Sequence, residues 1–350
     1  MGHPPPTDRT LRWTLAEDQP PIDALFPDES VRRHVGTGEF QGMEFLEVNA
    51  KRVINAVPAS SRMPFRYTIN AYRGCSHACV YCFARPTHEY LGLNTGEDFD
   101  RRIVVKVNAV ERVQAEVRSR RWSGDDIAMG TNTDPYQKAE GKYHLTRGII
   151  GVLSEAANPF SILTKSTLVL RDLDVLAQAA QRTAVRLNFS IGTLDRDVWR
   201  MTEPGTPPPD KRVAAVRRLN EAGIECGVLV APVLPGLSDS DAQLQDVVSA
   251  CVEAGAVSIS AISLHLRPGV REHFQPWLSA TRPDLDELYA RRFGGRSYQP
   301  RAVQQELSQR VAEMVLRARG RSDGPGPIRQ ATPPKEGPVP RERPEQLRLT

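Results

Sequence analysis

Arg73-Gly74-Cys75-Ser76-His77-Ala78-Cys79-Val80-Tyr81-Cys82 carries three of the chain's five cysteines, spaced C-x3-C-x2-C. Three thiolates with no fourth nearby leave one coordination position of a metal centre free. That is the arrangement of a reactive site rather than of a structural staple. Soft thiolates at short spacing suit an iron–sulfur cluster. Structural zinc takes four protein ligands, and His77 inside the loop would complete a three-cysteine, one-histidine set. Disulfide pairing would leave an odd cysteine. The remaining thiols, Cys226 and Cys251, fall in an expected strand and at an expected helix end, where buried inert cysteines are usual.

Outward from this loop the chain alternates between strand and helix patterns. Tyr67–Asn70 reads as the strand that leads into the cysteines, and Val107–Arg121 as a helix. Strands are expected at Ile127–Gly130, Phe160–Thr164, Val185–Ile191, Ile224–Val230 and Val257–Leu264. Between them lie helical patterns at His144–Ala157, Arg171–Arg182, Asp210–Ala222 and Asp241–Ala254, the last two ended by Gly223 and Gly255. Six such steps imply an α/β fold with a parallel sheet and right-handed crossovers. Each strand ends in polar or turn-forming residues: the cysteine loop, Thr131–Asp134, Lys165-Ser166, Gly192-Thr193, Pro232–Gly236 and His265–Arg267. Active sites of barrel enzymes are built from such ends, which favours a partial (β/α)6 TIM-like barrel over a doubly wound sheet.

The loop Gly130-Thr131-Asn132-Thr133-Asp134-Pro135-Tyr136-Gln137 groups hydroxyls, an amide and a carboxylate that can accept hydrogen bonds from an ammonium group or present them to ribose hydroxyls. It reads equally as a capped turn before a helix. Lys165, at a strand end, offers a point charge suited to a carboxylate. His88 is read as a structural hydrogen-bonding residue.

The C-x3-C-x2-C spacing with an aromatic at Tyr81 resembles the radical S-adenosylmethionine (SAM) superfamily. The strings Asn70–Gly74, Ala84–Tyr90, Gly130–Glu140, Ile162–Ser166, Glu203-Pro204, Val230–Gly236 and Leu264–Trp277 resemble its spore photoproduct lyase-like branch over about residues 50–300. The resemblance implies a 4Fe–4S cluster on Cys75, Cys79 and Cys82, with SAM held on the open iron. It also implies reductive cleavage of SAM to a 5′-deoxyadenosyl radical that abstracts hydrogen from a substrate. Tyr81, Thr131, Asp134, Lys165, Ser190 and Thr193 are the implied cofactor contacts. A flavodoxin- or ferredoxin-type donor or a reductase would supply the electron. Spore photoproduct lyase carries a cysteine hydrogen-atom donor after its cluster loop. No cysteine lies between Cys82 and Cys226 here, and Asp125-Asp126 are expected at that place.

Residues 1–60 read as an irregular N-terminal extension, 61–278 as the barrel, and 279–321 as a helical extension. Residues 322–350, rich in Pro, Gly and charge, read as a disordered tail. The length of 350 residues suffices for one large domain with extensions or two modest ones, and a hydrophobic content of 40% supports a globular core. No apolar run reaches the roughly 18 residues of a membrane span, and Met1–Pro6 lacks the apolar core of a signal peptide. The cytoplasm is therefore the expected compartment, with no membrane partner. The net charge of +4 is carried mostly by arginine. Arg291, Arg292, Arg296 and Arg301, interleaved with Phe293 and Tyr298, suggest a nucleic-acid patch. That makes nucleic-acid repair or modification one alternative function. A zinc-binding interaction module is the non-enzymatic alternative.

Overall fold

The computed structural model describes residues 31–58, 61 and 63–320. The tail from Ser322, expected to be disordered, lies outside them, as does the first half of the N-terminal extension. The described strands are β1 (Arg32–Val35), β2 (Glu44–Val48), β3 (Ile54–Ala56), β4 (Tyr67–Ile69), β5 (Tyr72–Arg73) and β6 (Arg102–Lys106). They continue with β7 (Ile127–Met129), β8 (Phe160–Thr164), β9 (Val185–Ser190), β10 (Cys226–Val233) and β11 (Ile259–Ser263).

The larger sheet has the order β11-β10-β9-β8-β7-β4-β3. Every pair from β4 to β11 is parallel, and only β3 runs antiparallel, on the outer edge of β4. The six parallel strands thus follow one another in chain order. A doubly wound sheet would reverse direction at a switch point; this order is that of the partial barrel expected from the sequence. The helices Ala109–Val117, Leu145–Glu155, Leu173–Ala180, Pro209–Glu221 and Asp241–Glu253 make the crossovers. β7 is apolar and covered on both faces, with Ile127, Ala128 and Met129 all buried, whereas β9 carries Arg186 and Asn188 among its buried apolar positions. Gly223 and Gly255 end the last two crossover helices with φ of 78° and 77°, a left-handed turn that glycine adopts without strain. After β11 come helices Arg271–Thr281, Asp286–Phe293 and Arg301–Ala318. The last packs Leu307, Val311 and Met314 into the main core, beside β11 and the helix Asp241–Glu253. No helix among the described residues is long and apolar enough to cross a membrane.

The N-terminal segment differs from expectation. Residues 31–58 hold three strands where prolines and weak periodicity suggested irregular chain. β1 and β2 join β6 and β5 in a second sheet of order β1-β2-β6-β5. The strands are short, and their stability comes from pairing with a distant segment, β2 with β6, which local periodicity does not reveal. This sheet positions the site. β5 ends two residues before Cys75, and its antiparallel partner β6 begins where the excursion after the cysteines returns. The buried Lys106 Nζ donates to Asn70 O at 2.8 Å, tying that clamp to the end of β4, and burial lowers its pKa to about 8.

Gly130, just beyond β7, has φ of 90°, and a Cβ there would press on Leu163 O of the neighbouring strand. Gly130→Ala is therefore expected to lower stability by at least about 1–3 kcal/mol. Gly141→Ala, in a helix with open space around it, should be neutral or slightly stabilising. Anaerobic urea denaturation of the two variants checks this, and an unchanged midpoint for Gly130→Ala contradicts it.

Candidate functional site

The cysteine loop is a compact turn system. Ala78 N–H donates to Cys75 O at 3.2 Å, Cys82 N–H to Cys79 O at 3.2 Å, and Arg85 N–H to Cys82 O at 3.3 Å. Cys75 and Cys79 are buried and Cys82 half-buried. Burial raises the pKa of all three thiols, with the Asp134 carboxylate and the other two cysteines adding to it at Cys75. Arg85, fully buried, holds the loop from beneath. It donates to Cys79 O at 3.1 and 2.9 Å, to Thr95 O at 2.8 Å and to Asp100 at 2.9 Å, with its guanidinium 5.1 Å from the Phe99 ring centroid. Sequence reasoning passed over Arg85, because a lone arginine after a motif gives no sign of burial. His88 bonds Arg102 O at 3.0 Å, and burial lowers its pKa to about 4.

The loop after β7 grips the cysteine loop. Thr133 Oγ donates to Gly74 O at 2.6 Å, and Gln137 Nε2 donates to the same carbonyl at 2.9 Å. Gln137 Oε1 accepts from Ser76 N–H at 3.0 Å. Thr131 pairs with Asn70 Nδ2 at 3.1 Å. Asp134 is taken up wholly within the protein. Its Oδ1 accepts from Tyr136 N–H at 2.9 Å and Thr164 Oγ at 2.7 Å, and its Oδ2 accepts from Lys165 N–H at 2.7 Å. His77 Nδ1 faces Oδ2 at 3.3 Å. Burial opposes the charge on Asp134, but His77 and these donors overcome it and hold the carboxyl below its usual range. His77 is thus turned toward Asp134, and the three-cysteine, one-histidine zinc set is not formed. Among the described residues, no three His, Cys, Asp or Glu side chains are placed for a single ion.

A second polar cluster lies under Tyr81. Lys165 Nζ donates to Ser190 Oγ at 2.7 Å, to Glu203 Oε1 at 2.9 Å and to Ala231 O at 3.3 Å, 5.5 Å from the Tyr81 ring centroid. Glu203 also accepts from the Tyr81 hydroxyl and from Arg212 Nη2, both close. Arg212, fully buried, donates further to Ser190 O at 3.1 Å and Pro207 O at 2.9 Å. Burial disfavours the Glu203 charge, yet Arg212, Lys165 and the Tyr81 hydroxyl hold its carboxyl well below the usual range. Two cations around one carboxylate leave one net positive charge in this buried group of side chains. The segment carrying Glu203 docks on the cysteine loop, with Val80 N–H to Thr202 O at 3.1 Å and Gly205 N–H to His77 O at 3.0 Å.

The structure therefore brings Cys75, Cys79, Cys82, Tyr81, Asp134, Lys165 and Ser190 into one connected network, with Thr131 at its margin through Asn70. Thr193 is not part of it. Its hydroxyl accepts from the N–H of Asp195 at 3.0 Å, the residue whose side chain caps the helix Arg196–Thr202, and it lines a separate cavity with Gln243, Asp246 and Glu253. Asp125-Asp126 precede β7 and so lie at the opposite end of the sheet from the cysteines. Counting residues from Cys82 misplaced them, because β6 and a helix intervene. Cys226 and Cys251 are core residues.

A family model described as the radical SAM superfamily matches residues 69–247. An uncharacterised protein of Mycobacterium tuberculosis is 45% identical over 287 residues, 82% of this chain and 84% of its own length. One from Methanocaldococcus jannaschii is 32% identical over 198 residues, 56% of this chain and 70% of its own. Among solved structures, spore photoproduct lyase complexed with dinucleoside spore photoproduct shares the fold at a TM-score of 0.60 and 20% identity, covering 78% of this chain and 79% of the lyase. A variant of that lyase with bound S-adenosylmethionine and the dinucleoside photoproduct matches at 0.59 and 21%, with the same coverage.

Proposed function

The chain belongs to the radical SAM superfamily and is an enzyme, and we propose that its cysteine loop and the Lys165–Glu203–Arg212 group together bind the two cofactors of that family. Those cofactors are a 4Fe–4S cluster and SAM, and the donor chemistry fits both. Three thiols share one loop, and each cysteine of a cluster holds its own iron, so their sulfurs stand further apart than ligands of a single ion. Their raised pKa values mean that a cationic centre is needed to hold them as thiolates. The surplus positive charge of Lys165 and Arg212 around Glu203 suits the carboxylate of SAM, while Glu203 and Ser190 offer acceptors for its ammonium group or ribose. When bound, the pair supplies reductive cleavage of the sulfonium to a 5′-deoxyadenosyl radical.

The chain's own residues bind and orient. Cys75, Cys79 and Cys82 ligate. Asp134, His77, Thr133 and Gln137 set the distance between the cysteine loop and the strand ends, a positioning role for Asp134 rather than a direct contact. Lys165 and Ser190 would meet SAM, with the Tyr81 ring beside Lys165 and Thr131 at the margin through Asn70. An external flavodoxin- or ferredoxin-type protein, or a reductase, delivers the electron. The substrate class favoured here is nucleic acid, on the surface described below. The observation that carries the reading is the docking of the three-cysteine loop onto Asp134 and onto the Glu203 segment at the same ends of the parallel strands.

Anaerobically reconstituted, reduced protein is expected to convert SAM to 5′-deoxyadenosine and methionine, measured by chromatography. Lys165→Ala should weaken SAM binding about 10- to 100-fold, the worth of a hydrogen bond to a charged group, while iron content holds. Absence of 5′-deoxyadenosine from the wild-type protein, with its iron loaded, would falsify the reading. Unchanged SAM affinity in the variant would remove Lys165 from the site.

A further inference from the structure

The C-terminal end of β11 carries a surface that the cofactor site does not use. His265 bridges antiparallel to Tyr298, and Leu266 N–H donates to Ser297 O at 2.8 Å. This short zipper brings together two segments about thirty residues apart and gathers Arg267, Arg271 and Arg296 on one rim. Arg267 donates through Nε and Nη2 to the Tyr298 hydroxyl, at 2.9 and 2.6 Å, with its guanidinium 5.6 Å from that ring's centroid. The His265 and Tyr298 rings meet edge to face at 4.6 Å. Arg271 donates to the backbone oxygens Leu266 O and Arg296 O. Tyr298 is 38% exposed, and Arg267 and Arg296 are exposed.

None of the three arginines forms an ion pair among the described residues. Glu272, the nearest carboxylate in sequence, instead accepts from Gly269 N–H at 2.5 Å. The surface also abuts the cysteine segment. At Gly269 a Cβ would meet the Pro86 ring at 2.6 Å, with Glu89 3.7 Å away. Phe83, next to Cys82, is half exposed. An aromatic pair edged by guanidinium groups that hydrogen-bond to a hydroxyl and to carbonyls, Arg296 Nε to Phe293 O at 3.1 Å among them, but have no carboxylate partner, beside a buried reactive centre, has the chemistry that holds a base and its flanking phosphates.

We infer that His265, Arg267, Arg271, Arg296 and Tyr298 form a shelf that binds single-stranded nucleic acid and leads it to the cysteine loop. The inference rests on the proposed cofactor site, whose substrate class it names. It also revises the patch expected from the sequence. Phe293 is fully buried, Arg291 pairs with Glu287 at 3.4 Å, and Arg292 lines a different cavity with Glu306 and Arg310. Only Arg296 and Tyr298 of that stretch belong to the shelf.

The test is fluorescence anisotropy of the reconstituted protein, kept anaerobic, with labelled DNA and RNA oligonucleotides of about twelve nucleotides, a length within known single-strand site sizes. Three phosphate contacts predict a slope near about −2 for log affinity against log salt. Arg267→Gln should make that slope shallower by about 0.7. Tyr298→Ala should cost about fivefold or more in affinity with the slope retained, because stacking is not screened by salt. Arg291→Gln, on the paired arginine, should bind as wild type. Iron content and melting temperature establish that each variant is folded. Binding lost in Arg291→Gln but kept in Tyr298→Ala and Arg267→Gln overturns the shelf. So does competition by polyglutamate as strong as that by oligonucleotide, which would point to an acidic protein partner. SAM cleavage without oligonucleotide binding sinks the shelf alone; binding without SAM cleavage sinks the cofactor reading instead.

Discussion

Serine at Cys75, Cys79 or Cys82, one at a time, is expected to remove the metal centre and with it all SAM cleavage. The wild-type protein, reconstituted without oxygen, should hold about four irons and absorb broadly in the visible range, as cluster chemistry requires. In the proposed cluster each cysteine would hold a separate iron, so the three could not substitute for one another. A serine hydroxyl is a harder ligand that gives up its proton far less readily than a thiol. The loop leaves no room to recruit a replacement. His77 is held by Asp134, and the two remaining cysteines lie in the core. Cys226→Ser is the matched control. Its sulfur sits 3.6 Å from Gly227 O within the core, away from the loop, so iron content should stay at the wild-type level. Iron and absorbance retained in any of the three loop variants would remove that residue from the ligand set. Stoichiometric zinc in place of iron in the wild type would end the cluster hypothesis.

The second large effect concerns Arg212. Its guanidinium is the strongest partner of Glu203, and both side chains are almost fully buried. Truncation to Arg212→Met removes that partner and also the donors to Ser190 O and Pro207 O. Breaking a buried pair from one side leaves an uncompensated charge, at a cost of about 3–5 kcal/mol. Lys165 remains on Glu203 and keeps the loss near the lower end. The double variant with Glu203→Gln should recover part of it, since the stranded charge is gone, and the shortfall from additivity measures the pair. Urea midpoints of the four proteins, taken anaerobically, give the comparison. A single-variant loss under 1 kcal/mol would mean that the pair is solvated in solution. The same substitution should weaken SAM binding, because it removes the net positive charge of the Lys165–Glu203–Arg212 group.

Much of this architecture is legible in the residues read in order. The C-x3-C-x2-C spacing is a covalent fact, and it marks the loop wherever the chain folds. The six parallel strands announce themselves by short apolar runs between amphipathic helices, and Gly223 and Gly255 mark helix ends by the one conformation they alone take easily. The placement of Lys165 at a strand end follows from that alternation, and so does its convergence with the cysteine loop. All these signals act over one or two turns of chain, so the sequence carries them whole.

What only the tertiary structure decided is which side chains meet. Glu203 lies 38 residues from Lys165 and 122 from Tyr81, and nothing local marks it as their common partner. Arg85 and Arg212 look like surface cations until the fold buries them. Asp134 proved to be bound up within the protein, and Thr193 to bond Asp195, which caps a helix. β2 found β6 across more than fifty residues, and the clamp around the cysteines appeared with it. The arginine and tyrosine of the shelf come from two segments that a single β-bridge joins, while the contiguous run around Phe293 divided between core, surface pair and cavity. Periodicity specifies which face of an element is apolar, but pairing free energy is realised only when closure of long loops has been offset by the whole core. The partners of a polar group therefore depend on the complete fold and not on its neighbours in the chain.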